Sequence, residues 1–454
     1  MVDVTPFLPG LSPVQGKALV ARFDGGRLSS EGGLLALREI ERRLGLAERL
    51  AACLKDPRAP ERVVHRLAEI IRFRVLMIAA GYEDGNDADS LRRDPMFKLA
   101  LDRLPSAEEL CSQSSISRLE NLPDTRALLR LGRALIEQYC ASFQQVPKRI
   151  VLDIDDTFDR VHGGQQLRLF NAFHDDYGFQ PIVVFDGEGR FVTALLRPGK
   201  RPSGHEIRAF LRRLVGALRA NWPKVEILLR ADSHYAAPEV FDWCRENRVD
   251  WVLGLAPNAA LRRHVEVLEK TTAERFKACP GEGSGAAPTR GKIRRFAQFY
   301  DAAQSWSRVE RIIARVEAGP EGSDTRFIVT NLQGGRAKQL YERLYCARGQ
   351  AENHIKAWKN HLAADRTSCH EAEANQFRLF LHAGAYWLLW SLRRVMPARS
   401  SWRVMQFDTL RLRFIKIAAR VIELKTQIKI HLPSSTPDQR IFHLALDRLP
   451  RLVI

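Results

Sequence analysis

Residues Arg149–Thr157 read RIVLDIDDT, an apolar run that closes on the carboxylates Asp153, Asp155 and Asp156. A β-branched run of this length is a strand, and side chains along a strand alternate between its two faces. Asp153 and Asp155 therefore share one face and Asp156 takes the other. Two carboxylates side by side at a strand end repel each other, and a bound cation between them relieves the repulsion. The same residues also suit an ordinary Asp-rich turn at a strand end. Further along come PIVVFDG, RFVTALL, HEIRAFLRRLVGALRANW, VEILLRAD, APEVFDWCREN and VDWVLGLA. Short apolar strands alternating with amphipathic helices predict a mixed α/β sheet covered by helices, over 146–256. VEILLRAD places a second acid, Asp232, directly after a strand. Oxygen ligands from separate strand ends suit Mg2+, which binds through one or two carboxylates and leaves its other positions to water and phosphate. An Asp after a strand is also a common helix cap, here ahead of APEVFDWC.

Outward from this core, residues 1–145 read mostly as helices, from LLALREIERRLGL through VVHRLAEIIRFRVLMIAAG. Within them EELCSQSSISRLENL has the pattern of a short helix, a polar turn and a second helix that would expose Gln113, Ser114, Ser117 and Arg118. That pattern suits either a DNA-reading helix-turn-helix or a plain helical hairpin. Residues 257–325 carry the Gly/Ala/Pro-rich PGEGSGAAPTRG and then β-like runs such as RVERIIARVEA, a β-rich insertion before FIVTNL resumes the core. The core is expected to continue over 326–396, and 397–454 to form a helical, basic C-terminal region.

The chain has 454 residues, enough for two to four domains, since single cores rarely exceed about 250 to 300 residues. Apolar residues at 45% and charged ones at 27% exclude a mainly disordered chain. Lys and Arg number 71 against 53 Asp and Glu, a net charge of +18, with a sequence pI near 9.9. That excess predicts a polyanionic partner. Residues 397–454 hold 11 Lys/Arg against 4 Asp/Glu, while 1–145 are nearly balanced. The longest apolar run, Leu379 to Leu392, is shorter than the roughly 20 residues of a membrane span and predicts a buried helix. With no basic start followed by an apolar stretch at the N-terminus, a cytoplasmic, nucleoid-associated protein is expected, with no membrane partner. The seven cysteines are scattered and form no C-x-x-C pair, against both a disulfide framework and a zinc ribbon.

A third group lies in YCARGQAENHIKAWK, Tyr345–Lys359. On a regular helix, at about 100° per residue, Tyr345, Arg348, Glu352 and Lys359 fall within a stripe of about 60°. Leu344, Ala351, Ile355 and Trp358 lie beside it and would seat the helix on a core. An acid between two cations and a phenol can bind a metal while the cations hold phosphates. An amphipathic helix with internal salt bridges has the same composition.

Here the residues carry a resemblance. The spacing Y-x2-R-x3-E-x6-K, met by Tyr345, Arg348, Glu352 and Lys359, resembles the signature of DDE transposases of bacterial insertion sequences with a β-rich insertion before the catalytic glutamate. FDGGRLSSEGGLLALREI, GYEDGNDADSLRRDP, SQSSISRLEN, LDIDDT, LLRPGKRPSGHEI, YCARGQAEN and DRTSC, from about Phe23 to Cys369, resemble the insertion sequence 1380 family. The resemblance implies an α/β RNase H-like catalytic core behind a helical DNA-binding region. It implies Asp155, Asp232 and Glu352 as catalytic, metal-binding acids, with Asp153 the alternative first acid; Thr157 two residues after Asp155 resembles a D-x-T pattern and favours Asp155. Tyr345, Arg348 and Lys359 would hold phosphates of the element's end, and Trp306 would stack on a base, although a core tryptophan fits it as well. It implies two Mg2+ ions, with Mn2+ able to substitute, about 4 Å apart and activating water and then a DNA 3′-hydroxyl. The partners implied are DNA, at terminal inverted repeats and target, and a second subunit. The competing expectations are a nuclease of the same fold without end preference and a catalytically silent DNA-binding protein.

Overall fold

The computed structural model describes residues 8–278 and 291–452. The Gly/Ala/Pro-rich section, apart from Gly291, lies outside the described residues. The chain divides into two compact units, one of residues up to Pro123 with Gly384–Leu452, the other of Asp124–Ala383.

The second unit opens with helix α1 (Thr125–Ala141), capped by the Asp124 carboxylate, which accepts from the Ala127 N–H at 2.7 Å. Then follow β1 (Arg149–Asp156), β2 (Ile182–Asp186), β3 (Phe191–Leu195), α2 (Gly204–Asn221), β4 (Glu226–Ala231), α3 (Pro238–Glu246) and β5 (Val249–Leu255). Helix α4 (Glu266–Ala278) precedes β6 (Ile293–Asp301), β7 (Glu310–Gly319) and β8 (Gly322–Thr330). These eight strands form one sheet in the order β6-β7-β8-β5-β4-β1-β2-β3. β1 runs parallel to β4 and β4 to β5, while β1–β2, β2–β3, β5–β8, β8–β7 and β7–β6 are antiparallel. The mixed sheet expected from the alternation of strands and helices is present. Every residue of β2 is buried, as are Ile227–Ala231 of β4, which explains why these strands read as unbroken apolar runs. The strand-rich stretch after Pro257 enters as α4 and an antiparallel meander whose last strand pairs with β5, so it continues the main sheet.

Beyond β8 the chain coils from Ala337 to His361 with changing pitch. Leu340–Tyr345 is a π segment, Cys346–Arg348 a 3-10 turn, Gly349–Lys356 helix α5, and Ala357–His361 a second π segment. A uniform advance of about 100° per residue therefore does not hold across it. The apolar side is nevertheless seated, with Ala351, Ile355 and Trp358 buried and Leu344 half-buried.

In the first unit, the helices Leu34–Leu44, Leu67–Ala80 and Gln113–Glu120 surround buried Leu37, Ile40, Phe73 and Ile116. A buried Arg74–Glu120 pair at 2.9 Å joins two of them. A Cβ on Gly33 would meet the Phe414 carbonyl oxygen at 2.0 Å, so the S-E-G-G stretch is small where the C-terminal segment crosses it. Two expectations are corrected. Glu108–Cys111 is not helical; the polar residues read as a turn begin the helix Gln113–Glu120, whose Ser114, Ser117 and Arg118 are exposed. The C-terminal region is not wholly helical either. Ala419–Glu423 and Ile428–His431 pair as a hairpin and add Leu28–Ser29 as a third strand, because ARVIE and IKIH alternate with period two. Leu379–Leu392 lies in the helix Ala372–Val395 and is buried throughout. Among the described residues no helix is long and apolar enough to cross a membrane.

Candidate active site

The parallel register of β1 and β4 sets Ile154 opposite Ala231. The next residues, Asp155 and Asp232, therefore leave neighbouring strands side by side, on chains about 4.8 Å apart. Burial pushes the Asp155 carboxyl up to about 6; Arg348 opposes this, and Asp156 and Asp232 add to it. Asp232 is half-buried and accepts from the Ser233 N–H at 2.7 Å, capping the short turn Ser233–Tyr235 rather than α3.

The other two strand-end acids are occupied. Asp153 is buried and takes both Nε and Nη2 of Arg230 at 2.7 Å, and Arg230 Nη1 donates to the Leu344 carbonyl at 2.7 Å. Asp156 lies 2.5 Å from His234 Nε2 and accepts from Gln180 and Tyr235. Burial pushes its carboxyl up, yet His234 and these hydrogen bonds hold it below the usual range.

The helical segment after β8 brings its polar side to these strand ends. Arg348 Nη2 donates to Asp155 at 2.8 Å, and its Nη1 lies 3.9 Å from Glu352. Burial pulls this guanidinium's affinity for its proton down, but Asp155, Asp232, Tyr345 and Glu352 together raise it, so one cation is felt by all three acids. Glu352 itself is exposed, with 71% of its side chain accessible. The Tyr345 hydroxyl sits over Gly254 of β5, where a Cβ would meet it at 2.7 Å and the Ser233 nitrogen at 2.9 Å. Burial raises this phenol, Arg348 lowers it and Asp232 raises it further. Lys359 Nζ donates to Thr157 at 3.1 Å and to the Phe158 carbonyl, and lies 3.3 Å from the buried Asp159. Burial pushes Asp159 up to about 7 against the pull of Lys359. Trp306 is elsewhere, half-buried between β6 and β7 and edge-on to Phe241 of α3 at 5.2 Å.

Arg230, Gln180, His234 and Asp159 were not singled out in the sequence. The R-A-D-S-H-Y run after β4 could have drawn attention to Arg230 and His234, since both flank Asp232. Nothing local marked Gln180 or Asp159.

The family model described as transposase DDE domain group 1 matches residues 11–454. The chain belongs to this DDE transposase family. No curated protein matches this transposase. Among solved structures it is similar to the cryo-EM structure of the piggyBac transposase synaptic complex with hairpin DNA, at 11% identity and a TM-score of 0.41, covering 84% of this chain and 80% of that one.

DDE transposases generally use divalent metal ions. Among the described residues, no three His, Cys, Asp or Glu side chains are grouped to hold an ion. The donor chemistry nevertheless fits one at the Asp155–Asp232 pair, where two oxygen donors stand side by side; the upward push on Asp155 comes first from burial, and Asp232 adds a smaller part. Glu352 stands off on the far side of the Arg348 guanidinium, which supplies the positive charge at the acids.

Proposed function

We propose that this transposase binds the terminal inverted repeats of its own mobile element and carries out metal-dependent cleavage and strand transfer at Asp155, Asp232 and Glu352. The observation that carries the reading is the pair Asp155 and Asp232 at the carboxyl ends of adjacent parallel strands, with Arg348 of the following helical segment bonded to Asp155 and Glu352 of the same segment 3.9 Å from that guanidinium. The run β3-β2-β1-β4-β5, antiparallel then parallel, supports an RNase H-like core, and α4, β6 and β7, between β5 and β8, support the β-rich insertion. The motif blocks from Phe23 to Cys369 support membership of the insertion sequence 1380 family of bacteria.

Asp155, Asp232 and Glu352 would hold Mg2+, or Mn2+ in its place. A bound divalent ion there supplies Lewis acidity and an activated water or DNA 3′-hydroxyl for in-line attack on a phosphodiester. Arg348 offsets part of the acids' charge in the free protein, and its fork of donors matches a phosphate, so it is the group that would turn to the DNA backbone. Tyr345, seated on Gly254, offers its hydroxyl to the same phosphate. Lys359 holds the end of β1 through Thr157 and Phe158, which keeps Asp155 in place and leaves a fifth of the side chain open to DNA. Two ends must be cut and joined together, so a second subunit is part of the reading. Cleavage within the nucleoid follows from it, and binding weakens with salt as counterions are released.

The test is cleavage of a duplex ending in the element's repeat, with Mg2+, by the wild type and by Glu352→Gln. End-specific cutting by the wild type alone, with binding retained in the variant, is expected. Equal cutting by both would remove Glu352 from the centre, and cutting without end preference would make the protein a general nuclease.

A further inference from the structure

After Asp156 the chain leaves the main sheet and builds a small antiparallel sheet of Asp159–Arg160, Asp176–Phe179 and Leu169–Asn171, in that spatial order. This arm turns apolar side chains to water. Phe173 is 90% exposed, and Phe170 and Tyr177 are each 46% exposed. Phe170 and Tyr177 are cross-strand partners whose rings meet edge-on at 5.4 Å, and the Arg168 guanidinium lies 4.8 Å from the Tyr177 ring centre.

The arm is firmly built. The Asn171 side chain accepts from the Phe173 and His174 N–H groups at 3.0 and 3.4 Å and donates to Gln180 and to the Gly199 carbonyl at 3.1 and 2.8 Å. A Cβ on Gly178 would meet the Asp159 carbonyl oxygen at 2.4 Å, and one on Gly199 would meet the Gly178 and Leu169 carbonyls at 2.5 and 2.7 Å, so the backbones are in close contact. Leu167 and Asp175 are held in the left-handed region, at φ 65° and 51°. A bulky residue such as Leu167 rarely adopts that conformation unless its surroundings impose it. His174 stacks on Phe158 with ring centres 4.2 Å apart, and Phe158 is the residue whose carbonyl Lys359 holds.

A tightly bonded, strained element that follows directly from the strand bearing Asp155 and presents three rings to solvent is shaped for a flat, partly apolar ligand carried by a polyanion. Unpaired DNA bases are that ligand, since every base has a face that stacks on an aromatic ring whatever its sequence. We propose that Phe170, Phe173 and Tyr177, with Arg168, form a stacking platform for unpaired bases of the element's end next to the cut. The proposal rests on the function proposed above. It differs from stacking on Trp306, whose ring is already packed on Phe241.

The experiment uses the full chain and two duplexes carrying the terminal repeat, one fully paired and one with a few unpaired bases at the cut position, with 2-aminopurine among them. The wild type is expected to bind the unpaired substrate more tightly and to quench the 2-aminopurine. Phe173→Ala and the double change Phe170→Ala with Tyr177→Ala should each lose about fivefold or more on the unpaired substrate, the scale of one lost base–ring stack. Affinity for the paired duplex and the melting temperature should stay as in the wild type, because these rings are exposed. Equal binding of both duplexes by the wild type, or unchanged quenching in the variants, would overturn the platform while leaving end binding intact. If the changes instead abolish self-association, a second copy of the chain covers the arm and the proposal fails. A wild type that binds neither duplex would overturn the function proposed above along with it.

Discussion

Asp153 and Asp155 stand two residues apart on one strand, each facing an arginine, yet the two pairs behave differently. Inside the sheet, Asp153 and Arg230 are both nearly inaccessible and satisfy each other through two hydrogen bonds of 2.7 Å. At the strand's carboxyl end, Arg348 makes one bond to Asp155 and is shared with Glu352 and Asp232. A saturated pair fixes a fold. An under-satisfied one, with more acids than its cation can hold, keeps its capacity for a further positive charge.

The largest effect should come from breaking the inner pair. Asp153→Ala or Arg230→Ala leaves a buried charge without its partner, and about 3–5 kcal/mol of stability should be lost. Denaturant unfolding of the full chain measures this, and a loss under about 1 kcal/mol would mean that the interior can hydrate the orphan. Asp155→Asn should act on chemistry instead, lowering end cleavage by at least about 100-fold, as loss of one strong electrostatic contact in an active site does.

That second variant also sharpens the contrast in stability. Because the folded carboxyl of Asp155 is pushed up to about 6, the folded state binds its proton more readily than the unfolded chain does. This residue's contribution to stability therefore grows as pH falls from about 6 toward the ordinary carboxylate value, and at pH 7 it opposes folding. Asp155→Asn should leave the melting temperature at pH 7 equal or higher and flatten that pH dependence; a clear drop at pH 7 would contradict the account.

Gly254→Ala should cost about 1–3 kcal/mol, the usual scale of overpacking, because its Cβ would press on the Tyr345 hydroxyl and the Ser233 nitrogen. Cleavage should fall further than that destabilisation accounts for, since Asp232 adjoins Ser233. The smallest effect belongs to Glu206 in the capping box of α2. Slight burial pushes its carboxyl up, but the Ser203 backbone and hydroxyl and Arg197 hold it at about 2. Its stabilisation is thus present above the ordinary carboxylate value and lost as pH falls toward 2, the opposite sign to Asp155. Glu206→Ala should cost about 1 kcal/mol at pH 7 and leave cleavage unchanged.

Much of the core was legible because its signals are local. The apolar runs of β1, β2, β4 and β5 read directly as buried strands, and acids following two of them marked the strand ends where the chemistry is proposed. What alternation along a strand could not do was separate Asp153 from Asp155. Both share a face, and the difference lies in Arg230, which is distant in sequence and reaches Asp153 only through the β1–β4 register. The stripe of Tyr345, Arg348, Glu352 and Lys359 was legible as a group. Its geometry was not, because two π segments and a 3-10 turn interrupt the regular pitch and no residue type announces them. The aromatic arm escaped notice for the opposite reason. Its strands are two to four residues long, too short for a periodic pattern, and Asn171 and the glycines that hold it act through tertiary contacts.

The most direct measurement compares Asp153→Asn, Asp155→Asn and the wild type on one duplex ending in the terminal repeat, with Mg2+, recording cleavage, binding and melting temperature for each. The predicted result is an Asp155→Asn protein that folds and binds the end but does not cut it, beside an Asp153→Asn protein whose melting temperature falls. Wild-type cutting by Asp155→Asn, or a stable and inactive Asp153→Asn, would contradict the account.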